Sequence, residues 1–159
     1  RRQRQMCIRD RAVAAIESGR EERLFLGNLD SLRDWGDARD YVLGMWMILQ
    51  QDKPDDYVLA TGEQHSVREF VELAFAEIGR QISWQGSGET ETGVDRSTGD
   101  ILVEVDPQYF RPTEVDSLLG DPTKAKNFLG WTARRGFADL VKEMVRADRE
   151  LIKAEGHGR

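Results

Sequence analysis

The sequence predicts an α/β protein, because short apolar strands alternate with helices whose apolar residues recur at the helical period. Leu24-Phe25-Leu26 runs directly into Gly27-Asn28, a strand closed by a turn signal. Ala38, Tyr41, Val42, Met45, Trp46 and Leu49 then form one wide stripe at i, i+3, i+4, i+7, i+8 and i+11. The same spacing returns at Val67, Phe70, Val71, Ala74, Phe75 and Ile78, after a second short apolar run at Tyr57-Val58-Leu59-Ala60.

Taken in order, a short helix is expected over Arg11 to Arg20, with Val13 and Ile16 on one face. The strand at Leu24 follows, and then the striped helix, with Asp37 as its N-cap and Pro54 after its end. Ser66-Val67-Arg68-Glu69 matches a capping box, in which hydroxyl and carboxylate each satisfy an orphan helix N–H. Gly79 closes that helix. Gln81 to Trp84 and Ile101 to Val105 read as strands, and the polar, Gly-rich stretch Gly86 to Gly99 as a flexible loop between them. Asp121-Pro122 sets N-cap and N1 of a short helix that ends at Gly130. Phe137, Leu140, Val141, Met144, Val145, Leu151 and Ile152 mark a long amphipathic C-terminal helix. The strands at Leu24 and Tyr57 are expected to join a parallel sheet completed outside this chain. No internal repeat or domain linker is evident.

The 159 residues fit one compact domain or a piece of a larger one. Residues 1–10 are basic and polar without periodicity, and read either as a frayed or as a non-native start; 11–155 carry the pattern, and 156–159 are a tail. A net charge of −6 offers no footprint for nucleic acid. Any anionic ligand must therefore be held by a few placed arginines. The single cysteine, Cys7, excludes an internal disulfide and any cysteine-rich zinc site. The longest apolar run, Met45 to Leu49, falls far short of the ~20 residues of a membrane helix. A cytoplasmic protein is the expectation.

Two segments have the residue types for phosphate chemistry. Gly27-Asn28 ends a strand, and ligands collect at the carboxyl ends of strands in open α/β sheets. Arg33, just beyond, has a planar fork of donors suited to a phosphate, although Asp34, Asp37 and Asp40 are alternative partners. The second segment is Tyr109-Phe110-Arg111-Pro112-Thr113-Glu114. Proline pushes the residue before it out of the α region, which gives Arg111 a stiff mount. Glu114 offers acceptors for ribose hydroxyls; the alternative is a loop that packs its aromatics and exposes its charges. Gly86-Ser87-Gly88 lacks the lysine and helix of a phosphate loop and is crowded by Glu89, Glu91 and Asp95. His65 and His157 lack metal-ligand spacing, and Trp35, Trp46, Trp84 and Trp131 read as core anchors. There is neither a Gly-x-Gly-x-x-Gly fingerprint nor a Tyr-x-x-x-Lys pair.

Several long strings nevertheless occur in one order: Gly27-Asn28-Leu29-Asp30, Arg33-Asp34-Trp35-Gly36, Asp56 to Glu63, His65 to Phe70, Tyr109 to Asp116 and Leu119 to Ala125. From about Arg11 to about Leu140 the chain resembles the GDP-mannose 4,6-dehydratases. The resemblance implies the C-terminal, substrate-binding part of an extended short-chain dehydrogenase/reductase, an NAD(P)-binding Rossmann-like fold with most of the Rossmann half absent. It implies NADP on that missing half and GDP-mannose as substrate. The family's reaction oxidises C4, eliminates water across C5–C6 and returns the hydride to C6, and a full-length homo-oligomer is expected. The catalytic Thr, Glu, Tyr and Lys would lie upstream, so no catalytic or cofactor-binding residue is assigned here, and the chain alone is expected to be inactive. Gly27, Asn28, Arg33, Arg111 and Glu114 match positions around the nucleotide diphosphate. Asp37 stands where the family would have a histidine, and residues 1–10 match nothing in it. A related epimerase or reductase, or a non-catalytic α/β binding module, are the alternative readings.

Overall fold

The computed structural model describes residues 6–111 and 117–156, and the side chains of 10–111 and 117–155. Helix α1 (Met6–Glu17) leads into strand β1 (Leu24–Leu26), strand β2 (Leu32–Arg33) and helix α2 (Ala38–Leu49). Strand β3 (His65–Ser66) runs directly into α3 (Val67–Glu77), followed by β4 (Ile82–Gln85), β5 (Thr92–Asp95) and β6 (Ile101–Val105). Strand β7 (Ser117–Leu118), α4 (Thr123–Leu129) and α5 (Phe137–Gly156) complete the order. α1 starts five residues before the helix expected at Arg11, so Met6 to Asp10 form its first turns.

Two small sheets organise the strands. One has the order β1-β6-β5-β4, with β1 parallel to β6 and the other pairs antiparallel. The second has the order β3-β2-β7, with β2 antiparallel to β3 and parallel to β7. The main core lies where α1, α3 and α5 pack on one another and on the first sheet. Val13, Leu24, Val71, Phe75, Val103, Val141 and Val145 are essentially inaccessible there. The alternation of burial along β1, with Leu24 and Leu26 in and Phe25 out, is the period-two signature of a sheet covered on one face.

Local signals were read correctly where the partners are close in sequence. Asp37 caps α2 by accepting from the Arg39 amide, and Ser66 and Glu69 form the full capping box of α3. At α4 the cap shifts by one residue: Pro122 is the N-cap, and Asp121 Oδ1 accepts from the Thr123 amide at 2.9 Å.

Long-range packing bears on four of these segments. Residues 86–99 are not one loop, because Thr92–Asp95 is the strand that joins β4 to β6. β1 needs no sheet from elsewhere on one edge, since Leu24 to Leu26 pair in register with Val103 to Val105. Tyr57–Ala60 forms no ladder among the described residues. It packs beneath α2, where a Cβ on Gly44 would lie 2.7 Å from Leu59 Cδ1 and 2.9 Å from Trp131 Nε1, so a larger residue there would have to displace those side chains.

The fourth segment is α2 itself. Its inner face is made by Asp40, Tyr41, Gly44, Met47 and Ile48, set against Trp131, Tyr57 and Leu59. The apolar stripe largely faces outward: Val42 is 63%, Met45 57%, Trp46 58% and Leu49 80% exposed. Trp46 is therefore not an anchor of the core within the described residues, whereas Trp131 is buried and Trp35 and Trp84 pack against the main core.

Candidate functional site

β1 and β6 run parallel, so their carboxyl ends open at the same end of the first sheet, and there the chain builds a small platform. Beyond Val105, the Asp106 amide donates to the Leu26 carbonyl at 2.8 Å. The Asp106 carbonyl then accepts from the Tyr109 and Phe110 amides, and Asp106 Oδ1 from the Gln108 amide, which winds residues 106–110 into a tight turn. Phe110 is tucked against the main core. The turn lies so close over Gly27 that any Cβ there would overlap the Tyr109 carbonyl oxygen.

Asn28 fastens the next residue. Its Nδ2 donates to the Arg111 carbonyl at 3.0 Å, and its Oδ1 accepts from the Arg111 amide at 2.8 Å. The side-chain amide thus replaces the strand partner that β1 lacks at this point. Arg111 is exposed, and among the described residues no carboxylate lies within ion-pair distance of its guanidinium. Glu114 falls in 112–116, outside the described residues.

Arg33 comes from the second sheet. Its backbone is held between His65 of β3 and Leu118 of β7, and its Nη1 donates to the Leu32 carbonyl at 2.7 Å. The three acids weighed as its partners have other hydrogen-bonding work. Asp34 accepts from the Thr61 amide and hydroxyl and from the Gly62 amide. Asp37 binds Arg39 through both oxygens, which, against the cost of burial, holds its pKa down at about 2. Asp40 accepts from the backbone amides of Arg134 and Arg135. Trp35 anchors the segment by stacking on Phe137, with ring centroids 5.1 Å apart.

Arg33 and Arg111 thus flank one stretch of chain: Arg111 stands at its start, and Ser117-Leu118 at its end is in register with Leu32-Arg33. Six residue steps separate Arg111 from Ser117, at most about 20 Å when fully extended. Several of the described arginines are held in ion pairs elsewhere in the chain. Arg68 is bound by Asp30 and by both oxygens of Glu91, and Arg39 and Arg135 share Glu143.

Sequence reasoning missed Asp34, Asp40 and Arg68 as organisers, because each binds residues 23 to 95 positions away. His65 lies on β3 and stacks on Phe137, with ring centroids 4.0 Å apart. Gly86-Ser87-Gly88 lies in the connection between the antiparallel strands β4 and β5 and opens only a single 3-10 turn, Gly88–Thr90, not the α-helix of a dinucleotide turn. No group of three metal-ligating side chains occurs among the described residues, and no helix among them is long and apolar enough to cross a membrane.

The family model described as GDP-mannose 4,6 dehydratase matches residues 2–144. The chain belongs to the GDP-mannose 4,6-dehydratase family. The match begins nine residues before Arg11, so part of the first ten residues, expected to match nothing, falls within it. Among curated family members, the GDP-mannose 4,6-dehydratase of Sinorhizobium fredii is 59% identical over 143 residues, 90% of this chain and 41% of that protein. The GDP-mannose 4,6 dehydratase of Homo sapiens is 56% identical over 143 residues, 90% of this chain and 38% of that protein. This chain therefore spans about 40% of the length of the dehydratases it matches.

Solved structures agree on the fold. RMD from Pseudomonas aeruginosa, complexed with NADPH, superposes at TM-score 0.72 with 16% identity, over 92% of this chain and 42% of that one. The UDP-glucose 4-epimerase of Thermotoga maritima, with UDP-glucose, gives 0.65 with 19% identity, over 89% and 38%. At those identities the likeness shows the fold alone: this chain has the architecture of the corresponding part of those two proteins.

Proposed function

We propose that this chain is the nucleotide-sugar-binding part of an enzyme that converts GDP-D-mannose to GDP-4-keto-6-deoxy-D-mannose with NADP. The observation that carries the reading is Arg111, exposed on a rigid platform at the carboxyl ends of β1 and β6. Two adjacent phosphates need placed, hydrogen-bonding cations, and a chain of net charge −6 has no general positive field to hold them. Arg33 supplies the second fork and Glu114 the ribose contact. Together they fix the register of the sugar, the kind of positioning that lowers a barrier once a hydride acceptor and a base are present.

Neither acceptor nor base is among these residues. NADP does not fit the described part, which lacks a glycine fingerprint between a strand and a helix. In this reading the cofactor and the catalytic groups belong to the part of the relatives' length that this chain does not cover. That portion is also the natural cover for the outward stripe of α2 and the unpaired Tyr57–Ala60 segment. A homo-oligomeric, cytoplasmic enzyme completes the reading.

The test uses a full-length enzyme carrying this segment, its upstream part taken from the Sinorhizobium fredii relative. Arg111→Ala should weaken GDP binding by roughly 2–5 kcal/mol, because a phosphate charge loses its partner. Arg111→Lys should recover only part, since an ammonium cannot reproduce the fork. NADP affinity should hardly change. Unchanged GDP affinity would return Arg111 to an ordinary surface residue.

A further inference from the structure

Asn28 was expected to touch the nucleotide, yet both ends of its carboxamide are already engaged. Nδ2 donates to the carbonyl and Oδ1 accepts from the amide of Arg111, 83 residues away in sequence. One N–H and one oxygen lone pair of the carboxamide, side by side, thus meet Arg111 as a neighbouring strand residue would, with the second N–H and lone pair left over. Among the natural side chains of this length, Asp lacks the donor and Leu lacks both groups. Gly27 works alongside it: without a Cβ, the Tyr109 carbonyl settles directly over the chain and brings Arg111 within reach of Asn28. On its other side, Arg111 is preceded by Phe110, anchored in the core and bonded to Asp106.

We propose that Asn28 is a positioning residue that acts through Arg111: it fixes the backbone from which the guanidinium reaches the diphosphate, and does not bind the nucleotide itself. This role rests on the reading of Arg111 as a phosphate ligand. The physical need is clear. A long, exposed arginine side chain loses considerable freedom on binding, and a mobile backbone would add to that loss. Clamping amide and carbonyl together removes the backbone's share before the ligand arrives.

A double-mutant cycle in the full-length enzyme carrying this segment tests it, with GDP and NADP titrated separately by calorimetry. Asn28→Ala should weaken GDP by about 10- to 100-fold and leave NADP unchanged, the scale expected when a binding group is misplaced by about 1 Å. In an Arg111→Ala background the same substitution should change GDP affinity by less than about twofold, because nothing remains to be positioned. Amide hydrogen exchange at residue 111 should accelerate in Asn28→Ala. Asn28→Ser, too short to span both groups, should reproduce these effects and serves if Asn28→Ala does not fold. An equal loss of GDP affinity in both backgrounds would overturn the proposal in favour of direct contact. A parallel fall in NADP affinity would overturn it in favour of a general structural role, and so would wild-type GDP affinity in Asn28→Ala. Failure of the underlying reading looks different: Arg111→Ala alone would then leave GDP binding intact.

Discussion

Replacing Trp46 by Lys and Leu49 by Glu on the outer face of α2 separates what this chain needs for its own fold from what it offers to the rest of the enzyme. Both residues lie more than half exposed, at 58% and 80%, beside Val42 and Met45 at 63% and 57%. Complete burial of an aliphatic side chain or methionine stabilises by about 2 kcal/mol. Scaled by these exposures, covering Val42, Met45 and Leu49 would contribute about 4 kcal/mol. Trp46, with roughly 200 Å² of surface, would add about 3 kcal/mol. In the isolated chain none of this is realised, so the double substitution should shift stability by no more than about 0.5 kcal/mol. It should, however, abolish the concentration-dependent association and dye binding expected of an uncovered apolar patch. In the full-length enzyme the same change should weaken the packing of the two portions by about 4–5 kcal/mol, the shares of Trp46 and Leu49, and lower the melting temperature by many degrees. Sedimentation velocity over a wide concentration range, with calorimetric melts of both proteins, provides the readout. A wild-type chain that stays monomeric with a sharp, reversible melt would refute the reasoning, as would a double mutant that destabilises the isolated chain.

Three other outcomes are expected. The isolated chain, incubated with GDP-mannose and NADP, should form no 4-keto product; turnover in a clean preparation would place catalytic groups in this segment after all. Burial, reinforced by the neighbouring Asp148 carboxylate, raises the pKa of Asp10 to about 7. Its contribution to stability is then complete below the unfolded value near 3.8 and is lost as pH rises through about 7, so chemical denaturation should show the chain weakening between about pH 4 and pH 7 and levelling off above. Asp10→Asn should flatten that slope, and an unchanged slope would exclude Asp10 as its source. Asp37→Ala removes both the α2 cap and a buried carboxylate bonded to Arg39, and should cost about 1–2 kcal/mol in urea melts.

How much of this was legible in the sequence differs sharply between elements. The capping box at Ser66 and the cap at Asp37 were visible because both partners lie within three residues of each other. The strand at Leu24 and the long C-terminal helix were visible because an apolar period is a local property. The β5 strand was not, since Thr92-Gly93-Val94-Asp95 has a polar composition and becomes a strand only through its pairing with β4 and β6 on either side. The site divides in the same way. Arg33 and Arg111 were found as residue types in distinctive strings. That Asn28 is spent on holding Arg111, and that Asp34 is tied to Thr61 and Gly62, depends on closures 83 and 27 residues long.

The stripe on α2 marks the boundary most clearly. The sequence by itself determined that residues 38–49 form an amphipathic helix, because a spacing of three and four places Val42, Met45, Trp46 and Leu49 on one side. Periodicity says that such a side exists, not what covers it. Only the tertiary structure showed that this chain packs the opposite side, through Gly44 against Leu59 and Trp131, and leaves the stripe open. The reason is steric and long-range: α2 lies so close to Leu59 and Trp131 that the residue at the contact must be one that needs no room for a Cβ. On α2 that residue, Gly44, lies opposite the apolar residues.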